Sequence, residues 1–235
     1  MRQDDLDRFY DLLAVLEQQC GGKRRLADCD GRSNWPQRGI YFFFENGETR
    51  ADGVSERVTR VGTHALGPSK STLWGRLSQH RGTIGGTMPG GGNHRGSIFR
   101  RHVGTALLAS SDWSDEIRKT WAIGNNAPTA VRQAEYPLEK AVTQYIGLMP
   151  FLWLEIDDPP STQSDRGVIE IGAISLLSNY QRPTIDAPSA TWLGKRAKSE
   201  SIRESGIWNV NHVKDASSNS FIDTLEQRIH LSVTG

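Results

Sequence analysis

Arg76 and His80 stand four residues apart in the run Leu73-Trp74-Gly75-Arg76-Leu77-Ser78-Gln79-His80. On a helix that spacing puts both side chains on one face. A guanidinium donates two parallel hydrogen bonds to a phosphate, and an imidazole exchanges protons near neutrality. Far along the chain, Glu170 lies within Val168-Ile169-Glu170-Ile171-Gly172-Ala173-Ile174. A carboxylate among apolar neighbours is seldom buried without a partner, so it belongs at a solvent edge or on a cation. A hard ion such as Mg²⁺ accepts one carboxylate and fills its other positions with water. Glu139, Glu155, Asp157 and Asp158 offer the same ligand chemistry. Phosphodiester hydrolysis needs a positioned water, an acceptor for its proton, positive charge at the phosphate and help for the leaving oxygen. These residue types can supply that set.

The surrounding charge points the same way. Between Arg57 and Ser110 there are eight Lys or Arg, four of the six histidines, and no Asp or Glu. The 235-residue chain as a whole nearly balances, with 28 basic against 27 acidic residues. Such segregation concentrates polyanions locally even when the net charge is close to zero.

These residues need elements to position them. Leu6, Phe9, Leu13 and Leu16 recur at helical spacing, and Gly21-Gly22 stops a helix over 4–19. A polar connector follows from Lys23 to Pro36. Gly39 to Glu45 reads as an aromatic strand ended by the turn signal Asn46-Gly47, and Arg57 to Thr63 as a second strand. Alternation sets Tyr41 with Gly39 and Phe43 on one face, opposite Ile40, Phe42 and Phe44; on the second strand it groups Arg60, Gly62 and His64. The helix of Arg76 and His80 covers 71–80, capped near Ser69 or Ser71. Thr83 to Gly96 is a Gly-rich loop without the Gly-Lys-Ser/Thr ending of a P-loop, which excludes nucleotide hydrolysis of that type. Helices are predicted over 97–109, 138–145, 167–177 and 221–229, and a third strand over 151–156.

No apolar run approaches the ~20 residues that span a bilayer. The start, Met1-Arg2-Gln3-Asp4-Asp5, has the opposite character to a signal peptide. Two cysteines, Cys20 and Cys29, lack metal-ligand spacing, and the expectation is a cytoplasmic protein with free thiols.

Taken together, the hairpin, the Arg-bearing helix, the third strand and the Glu-bearing helix resemble the GIY-YIG nuclease superfamily over roughly residues 36–180. The first motif is literal, Gly39-Ile40-Tyr41. The second is degenerate: Arg60-Val61-Gly62 stands where the family has Tyr-Ile-Gly, and Thr63 where Lys is common. Arg76 and His80 match the Arg helix, Glu170 the metal-binding Glu, and Asn179 the Asn that commonly follows.

The resemblance implies an α+β fold (an α/β sandwich) with a small, three-stranded, largely antiparallel sheet flanked by helices. It implies a nuclease core over 36–182 interrupted by an insertion at 82–148, preceded by an N-terminal helix and connector (1–35) and followed by an extension (183–235). It further implies a DNA endonuclease dependent on Mg²⁺ or Mn²⁺, with a restriction or defence enzyme as the expectation because no separate DNA-binding module is visible. Arg76 would stabilise phosphate charge, Tyr41 and His80 would handle protons, and Glu170 would hold the metal. Arg60 cannot act as a base, so the expectation is that it contacts phosphate while His64 takes over part of the proton handling. Lys70, Arg81, Asn93, His94, Arg95, Arg100 and Arg101 are the expected contacts to nucleic acid, most simply double-stranded DNA. Trp192, Trp208, Asn209, Asn211 and His212 form either a recognition surface or a buried supporting layer. No membrane partner is expected, and a homodimer is left open. The alternative reading is a catalytically impaired module that binds nucleic acid, favoured by the missing second Tyr.

Overall fold

The computed structural model describes residues 2–216 and 220–232. Its elements, in chain order, are α1 (Arg2–Cys20), β1 (Arg24–Arg25), β2 (Gly39–Thr49), β3 (Glu56–Gly62), α2 (Leu73–Arg81) and α3 (Ile98–Ser110). They continue with α4 (Asp115–Thr120), α5 (Thr129–Gly147), β4 (Pro150–Glu155), α6 (Asp165–Leu177), α7 (Glu200–Ser205) and α8 (Ser220–Leu231). The strands form one antiparallel sheet in the order β1-β4-β2-β3, so the α+β class holds with helices on both faces.

Strand alternation builds two cores. Ile40, Phe42 and Phe44 of β2 pack with Leu6, Phe9 and Leu13 of α1, Ile169 and Ala173 of α6, and Phe221 and Leu225 of α8. Tyr41 and Phe43 turn to the other face and pack with Leu73 and Leu77 of α2, Phe99 and Val103 of α3, and Leu138 and Val142 of α5. A strand buried on both faces lies at the centre of a sheet, and β2 is hydrogen-bonded to β3 on one side and β4 on the other.

Three features depart from the sequence expectation. The sheet has a fourth strand, β1, whose two residues pair Arg24 with Phe151 and Arg25 with Pro150, too short to show alternation. Asn46-Gly47 does not turn the chain. Gly47 takes φ +83°, the β2–β3 register slips between Phe44 and Thr49, and the reversal comes at residues 50–55, where the Asp52 side chain accepts from Val54 and Ser55. Helix α5 starts nine residues earlier than expected and runs through Pro137. A buried ion-pair layer on this helix, described below, holds the stretch that Pro alone would discourage.

The C-terminal tryptophans form the supporting layer. Trp192 and Trp208 are buried, and both indole N–H groups donate to Glu45. The segment carrying Trp208 lies along the outer edge of β3: Trp208 N–H donates to Thr59 O at 2.7 Å, and the Asn209 amide pairs with both backbone groups of Val61. No helix among the described residues is long and apolar enough to cross a membrane. Cys20 and Cys29 are free.

Candidate active site

Tyr41 of β2 faces Gly62 of β3 in register, and a Cβ on Gly62 would collide with the phenol oxygen. That bare backbone lets the phenol lie flat along β3 and meet α2. Helix α2 is capped by Thr72, whose hydroxyl accepts from Gly75 N–H, and its apolar stripe of Leu73 and Leu77 continues into His80. His80 is therefore driven inward. Its Nε2 lies 2.8 Å from the Tyr41 hydroxyl, and its Nδ1 lies 2.8 Å from Ser97 Oγ. Burial, and then Arg76, Arg60 and Arg100, hold this imidazole well below its usual range, so it is neutral. Both Tyr41 and His80 are fully buried.

Arg60 is buried as well, at 6% exposure. Its guanidinium lies over the Phe99 ring at 4.5 Å, donates to Trp208 O at 3.1 Å and lies against the Tyr41 hydroxyl. Burial above all lowers its pKa, and its Nε has no hydrogen-bond partner. The expected phosphate contact needs a reachable guanidinium, and the structure instead places Arg60 behind the surface. The aromatic environment and the edge-covering segment around Trp208 account for this; neither is visible in the alternation of β3.

In front of this buried group lies a cleft of about 450 Å³ lined by Arg76, Gln79, Glu170, His64, Ser71 and Thr63, among others. Arg76 donates to Gln79 Oε1 at 3.0 Å and leaves its Nε without a partner. Glu170, half-buried near the N-terminal half of α6, accepts the Thr63 N–H at 3.1 Å. Burial raises its pKa, opposed by that N–H and by the charges of Arg60, His212 and Arg76. His64 follows the end of β3. Its Nδ1 lies 3.1 Å from Ser71 O. A carbonyl only accepts, so the hydrogen sits on Nδ1 and Nε2 keeps a free lone pair, without a partner in the structure. Burial, then Arg166 whose guanidinium donates to the His64 carbonyl, pushes this imidazole down to about 4. Arg60, His64 and Arg76 thus account for three buried, unpartnered polar nitrogens around one site.

The segment between α2 and β4 is used differently from what its charge suggested. Arg100 is fully buried; it pairs with Glu139, donates to Thr143 and donates to the His80 carbonyl at 2.9 Å. His94 stacks on Trp121 at 3.8 Å, its Nδ1 paired with Glu139 and its Nε2 accepting from Ala122 N–H. Arg95 forms a bidentate pair with Glu135. These three expected nucleic-acid contacts are committed to Glu135 and Glu139, an i,i+4 carboxylate pair on α5 that the sequence does display. Their shared layer braces the C-terminal end of α2. Asn93 caps the following turn through Arg95 N–H. Arg101 is half-buried with an unpartnered Nε, Arg81 lies over Trp74, and Lys70 is exposed. Asn179 lies away from the cleft, bonded to Arg2 and to both backbone groups of Ile185.

The rival metal ligands are accounted for. Glu139 is committed to Arg100 and His94, Asp158 to Arg166 at 2.5 Å, and Asp157 to Arg38 at 3.4 Å, while Glu155 is exposed at the end of β4. Among the described residues no three His, Cys, Asp or Glu side chains converge. Glu170 suits a single-carboxylate site: one oxygen is tied to the backbone, and the cleft has room for a hydrated ion. Sequence reasoning gave no site role to Ser97, the first residue of the helix predicted over 97–109, and read Ser71 only as a helix cap, a place that Thr72 takes in the structure.

A family model described as the GIY-YIG domain matches residues 1–234 of this chain. The match takes in α1, the segment between α2 and β4, and the residues after α6 as well as the motifs. No curated protein and no solved structure matches.

Proposed function

The chain belongs to the GIY-YIG family of the nuclease superfamily, and from that premise we propose that it is a divalent-metal-dependent endonuclease acting on DNA. The observation that carries the proposal is the convergence of Arg76, Glu170 and His64 on one cleft, with His80 one turn along α2 from Arg76 and its partner Tyr41 against Gly62, next to the cleft-lining Thr63. An arginine, a carboxylate and a neutral imidazole supply the charge, the cation ligand and the proton acceptor that phosphodiester hydrolysis demands.

Arg76 binds the scissile phosphate and meets the charge that grows on its oxygens. Glu170 would hold Mg²⁺ or Mn²⁺; when bound, such an ion polarises the phosphate and stabilises the leaving oxygen. His64 lines the cleft and is neutral at neutral pH, and its Nε2 lone pair, covered in the resting structure, accepts a proton from the attacking water once the ring turns toward the cleft. Tyr41 and His80 form a neutral hydrogen-bonded pair that passes protons within the protein. Arg60, fixed against Tyr41, sets the local positive potential without meeting the substrate.

A second reading, a nucleic-acid-binding module with impaired chemistry, is favoured by one observation: Tyr41 is wholly covered, with Arg60 where a second Tyr would stand. Supercoiled plasmid incubated with the purified protein separates the two. Nicking in Mg²⁺ and none in EDTA supports the nuclease; tight binding with no nicking in Mg²⁺ or Mn²⁺ supports the binding module.

A further inference from the structure

Ser97 joins the site from outside the family motifs. Its Oγ lies 2.8 Å from His80 Nδ1 and also accepts the Arg100 N–H at 3.3 Å as the cap of α3. With the 2.8 Å contact from His80 Nε2 to Tyr41, this makes a continuous chain of three fully buried groups.

The hydrogens of that chain can be counted. A serine hydroxyl, a neutral imidazole and a phenol carry one each, and only two links join them. One hydrogen therefore has no place within the chain, and buried groups leave few acceptors elsewhere. At the Ser97 end, the hydroxyl oxygen already receives Arg100 N–H, and among the described residues His80 Nδ1 is the acceptor within reach of its hydrogen. Were Nδ1 protonated, the serine hydrogen would be stranded in the interior, a costly arrangement. At the Tyr41 end the other neighbour is Arg60, which only donates. Either tautomer thus leaves one hydrogen without an acceptor, the serine's or the phenol's. Of the two, the phenol lies against Gly62 beside the cleft-lining Thr63, where a water of the cleft can take up the need, so the surplus hydrogen is assigned to Tyr41.

We propose that Ser97 is a positioning residue that donates to His80 Nδ1 and so pins the Nε2–H tautomer, making His80 a hydrogen-bond donor to the Tyr41 oxygen. The segment between α2 and β4 then contributes to proton handling, in addition to bracing α2. The kinetic consequence rests on the nuclease reading; the tautomer does not.

The test is ¹H–¹⁵N correlation of the His80 ring in the full-length, ¹⁵N-labelled protein. The wild type is expected to show hydrogen on Nε2 and a bare Nδ1. Ser97→Thr, which keeps the hydroxyl, is expected to match it, whereas Ser97→Gly, which keeps a favourable helix cap, is expected to show Nδ1–H or a mixture. Hydrogen on Nδ1 in the wild type overturns the proposal, whether or not any variant folds. So does an unchanged Nε2–H tautomer in Ser97→Gly. In cleavage assays Ser97→Gly is expected to lose about 10²-fold in kcat at constant KM, with recovery in Ser97→Thr; a loss confined to KM also overturns it. If the wild type cleaves nothing, the nuclease reading fails while the ring spectra still judge Ser97.

Discussion

Tyr41 and Gly62 are cross-strand partners, and the phenol oxygen occupies the space that a Cβ on Gly62 would fill. Of the degenerate second motif, Arg60-Val61-Gly62, the glycine keeps a steric function even though the aromatic residue is gone. Gly62→Ala must push Tyr41 off the His80 contact. The expected result is a loss of about 10²-fold in cleavage, with a stability cost of about 1–3 kcal/mol from overpacking. Chemical denaturation beside a cleavage assay checks this. Unchanged turnover would show that the Tyr41–His80 contact is irrelevant to the reaction.

Arg76 is the guanidinium that lines the cleft. Arg76→Ala is expected to reduce kcat by about 10²–10³-fold, the scale for losing one donor to a developing oxyanion. Arg76→Lys should recover only part, because an ammonium cannot form the planar fork. Equal rates for the Lys variant and the wild type would argue against bidentate binding.

Arg95 and Arg101 lie six residues apart and should behave oppositely. Arg95 is locked to Glu135, so Arg95→Ala is expected to destabilise the fold by about 3–5 kcal/mol by leaving a buried carboxylate alone. Arg101 is half-buried and enters no salt bridge among the described residues, so Arg101→Ala should weaken DNA binding and reduce the salt slope by about one, with little effect on stability. Thermal melts and DNA titrations across salt concentration decide between them.

Acid should act on stability through His64. The unfolded chain binds a proton there near pH 6.5, whereas the folded protein does so only at about 4. The contribution of neutral His64 is therefore complete above pH 6.5 and drains away as pH falls toward 4. His102, pushed down to about 4 by burial and by Arg60 and Arg101, adds to the same window. Urea midpoints are expected to fall between pH 7 and pH 5, with a shallower fall in His64→Asn. The cleavage limb that depends on neutral His64 should have its midpoint below pH 5; a midpoint near 6.5 would assign the titration to another group.

The sequence made the frame of the site legible because strict alternation along β2 and the i,i+4 spacing on α2 are local properties. Arg76 and His80 are legible that way, Glu170 by its apolar neighbours, and Tyr41 through the literal Gly39-Ile40-Tyr41 motif, which alternation then places on a face. The fates of His94, Arg95 and Arg100 were not legible, because a charge is called free or paired by its distance to a carboxylate 39 to 45 residues away. An acid-free stretch looks like a surface for polyanions until Glu135 and Glu139 are folded against it. Arg60 was misplaced for a related reason. Its burial is set by Phe99 and Trp208, which arrive from two distant segments.

The central claim is that Glu170 and Arg76 in the cleft hydrolyse DNA with a divalent ion. The most direct measurement is the single-turnover cleavage rate of a labelled duplex in Mg²⁺, compared between wild type and Glu170→Gln at saturating protein. The account predicts measurable cleavage by the wild type and a loss of about 10²-fold or more in the variant, with duplex affinity retained. Equal rates, or no cleavage by either protein despite tight binding, would contradict it.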